Sequence, residues 1–157
     1  MKPAPFVSLR TEVKPEWIDF NGHFNAGYYA VVFDDAIGPW LDHLGLSKEF
    51  RAATEVSTFT VQSHITYLRE IAEGEPIEVR SQLLGSGAKA IHSFQTMHHG
   101  TEGWLSATNE VMSLHVSMQT RRSQAMADSV QQRIAEVAAD HDLLDRPAQA
   151  GAIIGVR

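Results

Sequence analysis

Between Ala26 and Leu44 the apolar residues Tyr29, Phe33, Ala36, Trp40 and Leu44 recur at helical spacing, with Val32 and Leu41 beside them. After Gly45, which supplies a helix stop, the pattern changes to alternation. Ser57 to Ile71 sets Phe59, Val61, Ser63, Ile65 and Tyr67 against Thr60, Gln62, His64 and Thr66. Ile77 to Leu84, Ala90 to about His98 and Trp104 to Met118 read as three more strands. Glu73-Gly74-Glu75-Pro76, Gly85-Ser86-Gly87 and His99 to Gly103 are the turns between them. Phe6 to Val13 adds a strand, closed by Lys14-Pro15. One long helix and consecutive strands on short turns predict an α+β roll, an antiparallel meander wrapped around the helix. Gly38-Pro39 interrupts that helix, because Pro39 cannot donate to the Asp35 carbonyl. A kink is predicted there, or a second short helix starting at Pro39. Val130, Ile134, Val137 and Ala138 predict a C-terminal helix over about 128–140, and the tail from 147 shows no period. The chain therefore reads as a single domain over 1–157, with its core at about 6–118.

Composition removes whole classes of function. Hydrophobic residues make up 43% and charged residues 20%, which excludes disorder. No apolar run approaches the roughly 18 residues that span a bilayer, so no membrane partner is expected. The N-terminus has no signal-peptide core, and the chain reads as cytoplasmic. A net charge of −6 without a basic run argues against nucleic acid. There are no cysteines, hence no thiolate metal site and no cysteine nucleophile. The eight histidines show no metal-binding spacing: His98 and His99 are adjacent and point to opposite strand faces. No Gly-x-Ser-x-Gly elbow or Gly-rich phosphate loop occurs. No cofactor is expected.

The chemistry concentrates just before the helix, in Asp19-Phe-Asn-Gly-His-Phe-Asn25. An acid (Asp19), an imidazole (His23) and a carboxamide (Asn25) sit beside a helix N-terminus, whose free N–H groups suit a developing oxyanion. Each residue has a plainer role beside the chemical one. Asp19 fits an Asx turn, Asn25 a helix N-cap, His23 a backbone-satisfied loop position and Gly22 a turn needing positive φ. Trp17, Phe20 and Phe24 either pack the loop down or, with Tyr28, wall an acyl site suited to a quaternary ammonium. His64 lies on the polar strand face, as an interface histidine or a ligand contact. That face is short-chained as well as polar, which favours a homodimer or homotetramer by sheet apposition.

The order strand, Asp-Phe-Asn-Gly-His-Phe-Asn, long helix, meander resembles the hotdog fold of the 4-hydroxybenzoyl-CoA thioesterase-like family, over roughly Val7 to Val116. Thr66-Tyr-Leu-Arg-Glu70 and Thr120-Arg-Arg-Ser123 are similar to the branch containing betainyl-CoA thioesterases of carnitine breakdown. The resemblance implies an acyl-CoA substrate, with coenzyme A as part of that substrate. It implies Asp19 as nucleophile or base, and a backbone N–H between Gly22 and Ala26 as oxyanion donor. His23 and Asn25 would orient the thioester or the water. Ala26 stands where the family usually has a second Asn after His-x-Asn. The hotdog hydratases resemble Asp-x-Asn-Pro-x-His instead; here the His comes one residue earlier and Gly replaces Pro. A hydratase and a non-catalytic acyl-CoA binder are the alternatives that free CoA release separates from a thioesterase.

Overall fold

A computed structural model describes residues 3–156; residues 1, 2 and 157 of the expected single domain lie outside the described residues. Five strands, β1 (Phe6–Glu12), β2 (Val56–Tyr67), β3 (Pro76–Ser86), β4 (Ala90–His99) and β5 (Leu105–Ser117), form one antiparallel sheet in the order β1-β3-β4-β5-β2. The meander holds for β3 to β5 only. The segment after β2 does not turn back: the Leu68 and Arg69 N–H groups both donate to the Ser106 carbonyl, still alongside β5. The Gly74 N–H then reaches the carbonyl of Val13, and the Val13 N–H that of Glu75, at the end of β1. The connection thus crosses the end of the sheet, leaving β2 at one edge and β1 beside β3.

The central helix is present in two pieces, α1 (Ala26–Asp35) and α2 (Ile37–His43). The break falls at Ala36, so α2 begins two residues earlier than the expected start at Pro39. Pro39 then lies in the first turn of α2, where its missing N–H leaves no bond unmade. A short helix, α3 (Lys48–Thr54), was not foreseen; it buries no residue and so writes no apolar stripe. Its signal is the Ser47 hydroxyl, which caps the Phe50 N–H at 3.1 Å.

The inner sheet face holds the helices through polar as well as apolar contacts. Trp40 Nε1 donates to Ser93 Oγ at 2.8 Å, and Gln95 Nε2 to the Phe33 carbonyl at 3.0 Å. Two apolar clusters result: one around α1 contains Trp17, Phe24, Tyr29, Val32 and Phe33, and one around α2 contains Trp40, Leu41, Leu44, Leu83 and Ile91. The second is sealed by Val130, Ile134 and Val137 of α4 (Asp128–His141).

The tail after α4 crosses the outer face. Gln82, Phe94, Glu110 and His64 are register partners in one row across β3, β4, β5 and β2. Gln82 Nε2 donates to the Asp145 carbonyl, and the Gly151 N–H donates to Glu110 Oε2 at 2.6 Å. Phe94, between those anchors, is 1% exposed and belongs to neither helix-side cluster.

Strand β2 departs from strict alternation. A bulge at Val61 shifts the pairing from Thr60↔Ser113 to Gln62↔Met112. Thr60 therefore shares the inner face with Ser63, while Gln62 and His64 face outward. The expected grouping therefore fails before the bulge: Thr60 leaves the face of Gln62 and His64, and Phe59, paired with Leu114, leaves that of Ser63, Ile65 and Tyr67.

Candidate active site

Residues 18–24 close on themselves as a small hairpin. Ile18 bridges Phe24, the Asp19 N–H donates to the His23 carbonyl at 2.9 Å, and Gly22 takes φ +77° where an L side chain would be strained. Inside the turn, Asp19 Oδ1 accepts the N–H groups of Asn21 (2.9 Å) and His23 (3.1 Å). These bonds fix the carboxylate and leave Oδ2 unengaged among the described residues. The Asx turn and a chemical role are thus compatible in one side chain.

Asn25 is the N-cap of α1, its Oδ1 accepting the Gly27 N–H at 2.8 Å. The Asn25 N–H donates to the Trp17 carbonyl and the Tyr28 N–H to the Asn25 carbonyl. Among the described residues this leaves the Ala26 N–H as the donor of that first turn without a partner. Its neighbour in the hollow is Tyr67, whose hydroxyl donates to the Ala26 carbonyl at 3.2 Å.

Asp19, His23, Phe24 and Ala26 line one hollow of about 380 Å³ with Tyr29, Tyr67, Leu68, Arg69 and Glu70. Glu70 Oε1 accepts the Phe24 N–H at 3.0 Å and so pins the loop to the chain leaving β2. Burial above all pushes the Tyr29 phenol above its usual range, so it presents a neutral hydroxyl. Periodicity does not mark Tyr67, Arg69 and Glu70 as lining residues; their one signal is the Thr66–Glu70 stretch that carries the family resemblance.

The remaining candidates lie elsewhere. Trp17 is buried with its ring between Phe24 and Tyr28, each centroid 5.9 Å away, and Phe24 stacks on Tyr29 at 3.9 Å. Lys14 Nζ lies 5.1 Å from the Trp17 ring. Phe20 is 98% exposed at the tip of the turn. Trp17 stacks with Phe24 and Tyr28 while Phe20 stands apart in solvent, so the four rings do not assemble a cage. His64 lines a separate outer hollow with His92, Glu110 and Gly151. Gly22 supports the turn without lining the hollow. No group of three or more His, Asp or Glu side chains among the described residues is arranged to hold a metal ion.

Residues 13–134 match the model of the Thioesterase-like superfamily. A betainyl-CoA thioesterase of Pseudomonas aeruginosa is 37% identical over 96% of this chain and 94% of that protein. An L-carnitine dehydrogenase/betainyl-CoA thioesterase of Rhizobium meliloti is 32% identical over 97% of this chain, which spans 30% of that longer protein. A Staphylococcus aureus protein solved in complex with CoA superposes with a TM-score of 0.91 at 30% identity, covering 100% of this chain and 98% of that one. The chain belongs to the thioesterase-like superfamily and is a thioester hydrolase of the hotdog fold.

Proposed function

We propose that the protein hydrolyses a short acyl-CoA, betainyl-CoA or a close cationic analogue, to the free acid and CoA. The observation that carries this reading is that Asp19 and Ala26 line one hollow, with Asp19 Oδ2 and the Ala26 N–H both without a partner among the described residues. The thioester carbonyl oxygen takes the Ala26 N–H and gains negative charge as the carbonyl carbon is attacked. Asp19 either removes the proton of the attacking water, so that collapse of the tetrahedral adduct gives the free acid, or attacks directly to form a mixed anhydride that water then hydrolyses; in both courses the CoA thiolate is expelled and takes up the proton released from water. His23 and Asn25 orient the reactants, Asn25 by holding the first helical turn. Nothing beyond the substrate and water is required.

The substrate class is supported by the names of the relatives and by the CoA bound to the Staphylococcus aureus neighbour. We assign the working form to a homo-oligomer, because β2 is a sheet edge with Val61, Tyr67 and Leu68 each about half exposed. Among the described residues no helix is long and apolar enough to cross a membrane. A cytoplasmic setting is consistent with the absence of cysteine.

Replacing Asp19 by Asn tests the mechanism. Thiol release from acyl-CoA should fall by at least about 10²-fold with the fold intact, because an amide serves neither as base nor as nucleophile. Unchanged turnover would leave the loop a structural feature.

A further inference from the structure

The hairpin that carries Asp19 bonds mostly to itself and leaves one N–H over. Ile18 and Phe24 face each other across it, flanked by Asp19 N–H to the His23 carbonyl and Asn25 N–H to the Trp17 carbonyl. That pattern makes Ile18 and Phe24 a non-hydrogen-bonded pair, whose own N–H groups point away from the hairpin. The Ile18 N–H finds the Pro15 carbonyl. The Phe24 N–H, on a residue 4% exposed, donates to Glu70 Oε1 at 3.0 Å. Among the described residues this is the only hydrogen bond from 18–25 to the strands or to the segments between them.

The far end of that bond is a fixed post. The Leu68 and Arg69 N–H groups both donate to the Ser106 carbonyl, and Ser106 Oγ donates to the Arg69 carbonyl at 2.6 Å. The Arg69 guanidinium lies 3.9 Å from the centre of the Trp104 ring, and Ile71 is 0% exposed. Glu70 thus stands between two anchored residues, although it is itself exposed on the rim of the hollow.

We infer that Glu70 is a positioning residue for the hydrolysis, acting through the Phe24 N–H by its reach and not by its charge. This rests on the thioesterase reading above. Burial of Trp17 and Phe24 holds the loop down, but the hydrophobic effect has no direction. A hydrogen bond weakens steeply off its line and so sets the register of the loop against the sheet. Phe24 follows His23, whose carbonyl and N–H both bond to Asp19, and it precedes Ala26 by two residues. A shift at the Phe24 amide therefore moves the carboxylate and the Ala26 N–H together. A misplacement of about 1 Å at reacting groups costs on the order of 10²-fold in rate.

The test separates reach from charge. Glu70→Gln keeps an acceptor oxygen at the same distance and loses the charge; Glu70→Asp keeps the charge and falls one methylene short. Thiol release from betainyl-CoA and the protection of the Phe24 amide against hydrogen exchange are measured in both and in Glu70→Ala. Ala and Asp should lower kcat by about 10- to 100-fold with KM within about three-fold, and should lose protection at Phe24. Gln should rescue kcat to within about five-fold of the unaltered protein and keep that protection. An Ala variant as fast as the unaltered protein overturns the inference, as does a loss that appears in KM alone. So does a Gln variant as slow as Ala, an Asp variant that matches or exceeds Gln, or a loss of kcat with the Phe24 amide still protected. If the unaltered protein releases no thiol from betainyl-CoA or any other short acyl-CoA, the thioesterase reading itself fails, and this inference with it.

Discussion

Around α1 the core stacks Trp17, Phe24 and Tyr29 beneath a self-bonded loop and sets them on aliphatic side chains of the sheet, and one flank of the helix is open. Around α2 it consists mainly of aliphatic side chains and one tryptophan, closed over by α4. The break at Ala36 separates the two. One end keeps a backbone N–H and a carboxylate oxygen free among the described residues, at a cost in stability, as the proposed mechanism requires. The other end leaves little polar surface unmatched and supplies stability. Mutations at the two ends should therefore fail differently.

The largest effect is expected at Trp40, 2% exposed and hydrogen-bonded to Ser93. Trp40→Ala should cost about 3–5 kcal/mol, read from chemical denaturation, while kcat of the folded fraction stays within a few-fold. Loss of turnover in proportion to stability would show that the halves are not separable. Next comes the tail. Truncation after Asp145 removes the strap over Phe94 and the Gly151 bond to Glu110, and should cost about 1.5–3 kcal/mol, seen as a lower denaturant midpoint. Turnover that survives this truncation keeps the outer face on the structural side of the comparison.

The smallest effect is a pH dependence confined to the α4 end. His141 Nδ1 accepts the Leu83 N–H at 2.8 Å, and its ring lies parallel to Trp40 at 5.9 Å. Burial holds its pKa below the usual histidine value, so the neutral form is the folded one. The unfolded chain therefore binds the proton first. The stabilisation is fully present above pH about 6.5 and is lost as pH falls through the lower folded value. Amide protection factors at α4, taken relative to the intrinsic exchange rate at each pH, should fall between pH 7 and 5, and less so in His141→Gln. An equal fall in the variant would remove His141 as the cause.

The elements that could be read from sequence are those whose faces differ in polarity. β1, β3, β4, β5, α4 and the apolar stripe through Tyr29, Phe33 and Trp40 write their burial into their spacing. The Asp19 loop was legible for another reason: its residue types are chemically unusual together. Three things escaped. α3 has no buried face. The pairing of β1 with β3 depends on where residues 68–75 travel, which periodicity does not encode. The tail crosses the outer face mainly through backbone groups, at Asp145 and Gly151, so no side-chain pattern marks it.

The bulge at Val61 makes one strand into two independently addressed halves. Residues 56–60 are oriented by the start of the strand, and 62–67 by their pairing with β5 and by Tyr67 on Ala26. The extra residue absorbs the odd count between them. Excising Val61 would restore unbroken alternation, and one half would have to reverse its faces. Either Val56, 6% exposed, would swing into solvent, or Ser63 and Tyr67 would leave the substrate side. A single codon at this position therefore sets the geometric phase of the active site. Lineages of this chain should tolerate substitution there far more readily than deletion.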